Sequence, residues 1–220
     1  MEKTKTVSTD ESSRQATYQD VLDAPPHMVA QIVDGRLYTF PRPAAPHAAA
    51  CSQLFGTIQP PFHNGRGGPG GWIILFEPEL HLSGTVLVPD IAGWRRGRMQ
   101  VVPDVQFFEL APNWICEVLS PSTRLLDLGR KREIYAQEGV RHLWLVDPDE
   151  QSLEAFELRD AEWSMVDRLY QDAQVSLPPF EAIKFNLGNL WIPRTVHRGV
   201  PSDVPPESLA MESESIAASK

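Results

Sequence analysis

The chain has 220 residues, with 20 Lys and Arg against 29 Asp and Glu for a formal charge of −9; 42% of it is hydrophobic and 22% charged. That is ordinary globular composition, which excludes a fully disordered or fibrous chain, and a prior of about 150 residues per domain allows one domain with appendages. Two cysteines, Cys51 and Cys116, exclude a disulfide framework and point to a reducing, cytoplasmic setting, while a pI near 5.1 gives no bulk sign of a nucleic-acid partner.

The polar, Ser/Thr-rich start has no apolar core for a signal peptide. Residues 1–17 read as a disordered lead-in, 18–193 as the folded domain, and 194–220 as a disordered acidic tail broken by prolines. Residues 29–40 predict two strands around an Asp34-Gly35 turn. His47 to Ile58 predicts a helix, and residues 63–71 a flexible glycine-rich loop. Its G-x-G-x-x-G letters contain proline and precede no convincing helix, so a dinucleotide site is not expected. Residues 72–82 and 86–92 read as strands joined by Ser83-Gly84, and Trp114 to Leu119 as a central strand. A cap at residues 120–123 leads into a helix over 124–138, stopped by Gly139. His142 to Val146, Leu153 to Leu158 and Met165 to Tyr170 complete the strands. The expected fold class is α/β (α+β), a mixed β-sheet flanked by helices. No run of about 18 apolar residues predicts a membrane span.

Three features converge on one chemistry. Asp90 follows an apolar strand and a proline, which removes a ladder donor and re-aims the next side chain. Glu117 interrupts the apolar run Ile115 to Leu119, and a buried carboxylate is costly unless it is paired or binds a cation. Asp127, Lys131 and Tyr135 share one helix face at i, i+4 and i+8, so Lys131 can point back at the strand of Glu117. Two hard carboxylates suit Mg²⁺ (or Mn²⁺), which lowers the pKa of a bound water, and a nearby lysine orients that water or offsets charge on phosphorus. The expected reaction is metal-dependent phosphodiester hydrolysis. Pro103-Asp104 repeats the Pro-Asp signal, but it lies between elements, so strand context favours Asp90. His47 and Cys51 stand at i, i+4 without a second pair, which is a packed helix face rather than a zinc site.

The segments VPDIAGWRRGR and PNWICEVLSPSTRLLDLGRKREIYAQEGVRHLWLVDP resemble the Uma2 endonuclease family, a branch of the restriction-endonuclease-like PD-(D/E)xK nucleases. The resemblance covers roughly residues 18–193. It implies a restriction-endonuclease-like core, with Asp90 and Glu117 as metal ligands and Lys131 as a lysine supplied from the helix, because Leu119 stands at the usual E-x-K position. It adds Glu79 as an acid before the PD strand, places Asp34-Gly35 and His47 in the family's N-terminal pattern, and sets Gln31 where such chains usually carry Glu. A Gln31 carbonyl can coordinate but brings no charge. The implied substrate is DNA, with Arg95, Arg96 and Arg98 as candidate phosphate contacts. A homodimer through strands 153–158 or 163–170 fits the same pattern. The alternatives are a catalytically weak nucleic-acid or protein-binding module that keeps the fold, and a phosphodiesterase for small nucleotides.

Overall fold

A computed structural model of the chain describes residues 14–192. Residues 1–13 and 193–220, which include most of the expected lead-in and all of the expected tail, lie outside the described residues. Residues 14–17 are tied down: the Ala16 N–H donates to the Gly35 carbonyl at 2.7 Å. They lead into a short helix, α1 (Tyr18–Leu22).

Strands β1 (Met28–Val33) and β2 (Arg36–Pro41) form the expected hairpin. Asp34 and Gly35 take φ of 50° and 71°, both left-handed, as the tight two-residue turn requires. Helix α2 (Ala45–Ile58) carries a proline in its first turn, where its missing N–H is harmless, and continues as a wide π-type turn over Gln59–His63.

The next two expected strands each split. The 72–82 segment becomes β3 (Trp72–Phe76) and β4 (Leu80–Leu82), and the 86–92 segment becomes β5 (Thr85–Leu87) and β6 (Ile91–Arg95). Glu77 (φ 44°) with Pro78 makes one break, and Val88-Pro89-Asp90 the other. At both breaks the chain changes sheet. β4 and β5, joined through Ser83-Gly84, belong to a four-stranded sheet of order β2-β1-β5-β4. β3 and β6 pair in the larger sheet. The two corners touch, with the Glu77 N–H donating to the Asp90 carbonyl at 2.9 Å.

The larger sheet also contains β7 (Trp114–Val118), β8 (His142–Asp147), β9 (Ser152–Arg159) and β10 (Glu162–Tyr170). Its order is β10-β9-β8-β7-β6-β3, with β7 and β8 parallel and every other pair antiparallel. The fold is therefore the expected mixed sheet flanked by helices. β9 lies inside this sheet, so only β10 of the two strands offered as dimer contacts presents an edge.

Strand β7 shows the period of two directly. Trp114, Cys116 and Val118 pack with Leu54 and Ile58 of α2 on one face. Ile115 and Leu119 pack with Ile134 and Tyr135 on the other. That second face is covered by α3 (Arg124–Leu126), a π-type turn (Asp127–Lys131) and α4 (Arg132–Gln137), which run as one kinked helix. Gly139 (φ 70°) stops it as expected. The Arg130 guanidinium grips Asp34 through two nitrogens, tying this helix to the β1–β2 turn. A small hairpin of β11 (Gln174–Val175) and β12 (Phe185–Asn186) closes the first face, where Phe180 meets Trp72, Trp114 and Trp144. No helix among the described residues is long and apolar enough to cross a membrane.

Candidate active site

Asp90 stands one residue before β6, and the Ile91↔Cys116 register places it across from Glu117 on β7. Its Oδ2 accepts the Val118 N–H at 2.7 Å. Its Oδ1 lies 3.2 Å from Nε2 of His47, which reaches over from the first turn of α2. Burial works against a charge on His47, but the Asp90 carboxylate outweighs it, with Asp127 and Glu77 behind, and holds the imidazole above its usual range.

Glu117 is 2% exposed. Its Oε1 receives Lys131 Nζ at 2.7 Å and the Tyr135 hydroxyl at 2.5 Å. Lys131 also donates to Asp127 Oδ1 at 2.9 Å. The π-type turn brings Asp127 and Lys131 to the same buried point, since both lie on it. Burial opposes the ammonium charge, and the Asp127 and Glu117 carboxylates overcome that and keep Lys131 charged. Burial pushes Glu117 up to about 8; Lys131 pulls it back only in part, and Asp127 and Asp90 add to the rise. The physical reason is lost hydration: a fully buried carboxylate is disfavoured as an anion, and the Lys131 ammonium, shared with Asp127, restores only part of what water supplied.

These groups open on one cavity of about 40 Å³, lined among others by Gln31, His47, Glu77, Asp90, Glu117, Asp127 and Lys131. That volume holds roughly three water-sized spheres, enough for an ion and its waters but not for an enclosed nucleoside. Among the described residues no group of three or more His, Cys, Asp or Glu side chains could cage a metal ion by itself. Two carboxylates sharing a cavity with room for water nevertheless fit Mg²⁺, which keeps several waters and seldom takes an all-protein cage. Glu117, pushed upward by burial with Asp127 and Asp90 adding to the rise, is the group a divalent cation would relieve.

Asp90, Glu117 and Lys131 are thus brought to one cavity. Gln31 lines the same cavity, but its carbonyl oxygen accepts the Val88 N–H at 3.1 Å and so braces the Val88-Pro89-Asp90 corner. Glu79 is not brought to the cavity. It sits 2.8 Å from His81 Nε2 and accepts the Tyr18 hydroxyl, because the corner at Glu77-Pro78 carries β4 away into the smaller sheet. Glu77 takes the place expected for it. Arg95, Arg96 and Arg98 do not line the cavity: Arg95 is the last residue of β6, about 17 Å from Asp90 at 3.4 Å per residue, and Arg96 and Arg98 follow it. Asp104 is exposed on a loop, in line with the preference for Asp90. Sequence reasoning missed Glu77 and read His47 and Asp127 only as a pattern match and a helix pair.

The sequence profile of the Uma2 family, described as "Putative restriction endonuclease", matches residues 16–188. A solved structure described as "a putative nuclease belonging to DUF820", from Anabaena variabilis, superposes with a TM-score of 0.64 at 23% identity, covering 80% of this chain and 97% of that one. At that identity the likeness concerns the fold. None of the curated proteins matches the chain.

Proposed function

The chain belongs to the Uma2 family, and from that premise we propose that it is a Mg²⁺- or Mn²⁺-dependent endonuclease hydrolysing phosphodiester bonds of DNA. The observation that carries this reading is the convergence of Asp90, Glu117 and Lys131, from two strands and a helix, on one small cavity. Asp90 and Glu117 are the residues that would hold the ion. A divalent ion there supplies a bound water of lowered pKa and positive charge beside the phosphoryl oxygens.

The chain's own groups do the rest. Lys131, held by Asp127, keeps its ammonium beside Glu117 and donates toward an attacking water or the oxygens that gain charge. The Tyr135 hydroxyl and Lys131 occupy Oε1 of Glu117, which leaves Oε2 as its freer oxygen. The Val118 N–H and His47 fix the Asp90 carboxylate. Glu77 adds negative charge at the cavity.

Supercoiled plasmid incubated with Mg²⁺ or Mn²⁺ tests this. Wild type should nick or linearise it, and Lys131→Ala and Asp90→Ala should not. Equal cutting by wild type and Lys131→Ala would show that the lysine is misassigned, and no cutting of any DNA by wild type would sink the enzyme reading. The second reading, a weak or inactive binding module, draws on the neutral Gln31 in the cavity, whose oxygen is engaged by Val88. Divalent-ion calorimetry separates the two, because only an enzyme must lose ion binding in Asp90→Ala and Glu117→Ala.

A further inference from the structure

The far end of β6 carries a feature that the site does not use. Residues 63–71 and 93–100 hold four arginines, Arg66, Arg95, Arg96 and Arg98, and no acidic residue. The structure joins these two stretches. Trp72 pairs with Arg95 in the β3–β6 register. The Arg96 N–H donates to the Gly71 carbonyl at 2.9 Å, and its guanidinium reaches the His63 carbonyl at 3.4 Å. The Arg98 N–H donates to the Arg95 carbonyl at 2.8 Å. All four side chains are exposed, and among the described residues none of them forms an ion pair.

The patch is also built to stay in place. The Arg95 guanidinium lies 4.3 Å over the Trp72 ring. The glycine loop is folded tightly on itself: a Cβ on Gly68 would come within 2.4 Å of Pro61 Cβ.

We propose that Arg66, Arg95, Arg96 and Arg98 form an anchor for the phosphate backbone of duplex DNA, remote from the site of hydrolysis. Unpaired arginines with no acid among them, on a chain of net charge −9, are the footprint of a polyanion. The distance selects a stiff one. About 17 Å from Arg95 to Asp90 along β6 equals about five base-pair steps of 3.4 Å, so one duplex can touch both ends of the strand. The inference rests on the nuclease reading, and its test is arranged so that the two fail separately.

The test is fluorescence anisotropy with a 20-base-pair duplex, in an Asp90→Asn background that prevents cutting, from 50 to 200 mM KCl without divalent ion. Each phosphate contact contributes about 0.9 to the slope of log affinity against log salt. Changing the four arginines to glutamine should flatten the slope by 3 to 4. Equivalently, the fourfold rise in salt should weaken the parent by about 100-fold more than the variant. Thermal melting shows whether the quadruple variant is folded. If it is not, Arg66→Gln and Arg98→Gln, each exposed and outside a strand, should each flatten the slope by about 1. An unchanged slope in a folded variant overturns the anchor while leaving the enzyme reading intact. Equal affinity for a polyglutamate peptide overturns it in favour of a protein dock. A wild type that cuts no plasmid, with a parent that binds no duplex, removes the underlying reading itself.

Discussion

Replacing Glu117 by glutamine should make the protein more stable at neutral pH, although Glu117 is assigned to the active site. In the unfolded chain this carboxyl titrates near 4.5, and in the fold burial raises it to about 8. Between those values the folded state holds a proton that the unfolded state has released. The stabilisation linked to that proton is complete below pH 4.5 and is lost as pH rises through 8. At pH 7 the difference spans about 2.5 pH units at roughly 1.4 kcal/mol each, or about 3 kcal/mol. Glutamine bears none of this penalty and keeps an oxygen for Lys131 and Tyr135. The expected gain is therefore about 3 kcal/mol at pH 7, roughly 6–12 °C in Tm for a chain of this size. It should vanish near pH 4.5 and level off above pH 8. Urea unfolding at pH 4.5, 6, 7 and 8 in EDTA reads it directly. If glutamine brings no gain at pH 7, or a gain that does not shrink toward pH 4.5, then Glu117 is ionised in the fold and burial does not outweigh the Lys131 ammonium.

Lys131→Met should act in the opposite direction: it leaves the buried Asp127 carboxylate without a counter-charge, at a loss of about 3–5 kcal/mol in urea unfolding, and adding Asp127→Asn should restore part of it. Gly93→Ala should lower stability by about 1–3 kcal/mol, seen as a lower Tm, because the new Cβ meets Trp114 Cε3 at 3.2 Å and Trp72 Cε3 at 3.3 Å. His47→Ala should leave the fold intact, free Asp90 Oδ1 and remove a positive charge that competes with the ion, tightening Mg²⁺ in calorimetry by about fivefold; an unchanged ion affinity would make His47 a packing residue only.

The sequence made some parts of this architecture plain and hid others, for physical reasons. Two-residue turns carry their own chemistry, so Asp34-Gly35 and Ser83-Gly84 could be read locally. A carboxylate inside an apolar strand and a lysine on the next helix face were visible through the periods of two and 3.6. What local pattern could not show is that one strand-like run serves two sheets. Glu77 and Glu79 have the same alternation parity, and only the left-handed backbone at Glu77 sends one carboxylate to the cavity and the other to His81. Pro78 was a signal for that corner, mirrored by Pro89 before Asp90. Asp127 looked like an ordinary i,i+4 partner because the spacing gives no sign that the helix widens there. Nor could local pattern show how far the arginines stand from the acids: Arg95, the last residue of β6, lies about 17 Å along the strand from Asp90.

The charge of the chain is therefore best understood along β6. Acids gather around its start, where Asp90, Glu77, Glu117 and Asp127 line a cavity with only Lys131 and His47 as positive groups, and arginines gather at and just beyond its last residue. A duplex bound at the arginine end must bring its phosphates toward the acidic end, and like charges resist that until a cation intervenes. Ion and duplex should consequently bind with positive coupling, each strengthening the other by the same factor. One unit charge at about 4 Å in water is worth about 1 kcal/mol, which is roughly fivefold in affinity. With Ca²⁺ as a divalent ion that supports no cutting, the wild-type duplex Kd should fall at least fivefold relative to EDTA. Asp90→Ala should bind the duplex more tightly than wild type in EDTA and gain little from Ca²⁺. If Ca²⁺ leaves the wild-type affinity unchanged, the acidic cavity does not face the substrate, and hydrolysis must be sought elsewhere on the chain.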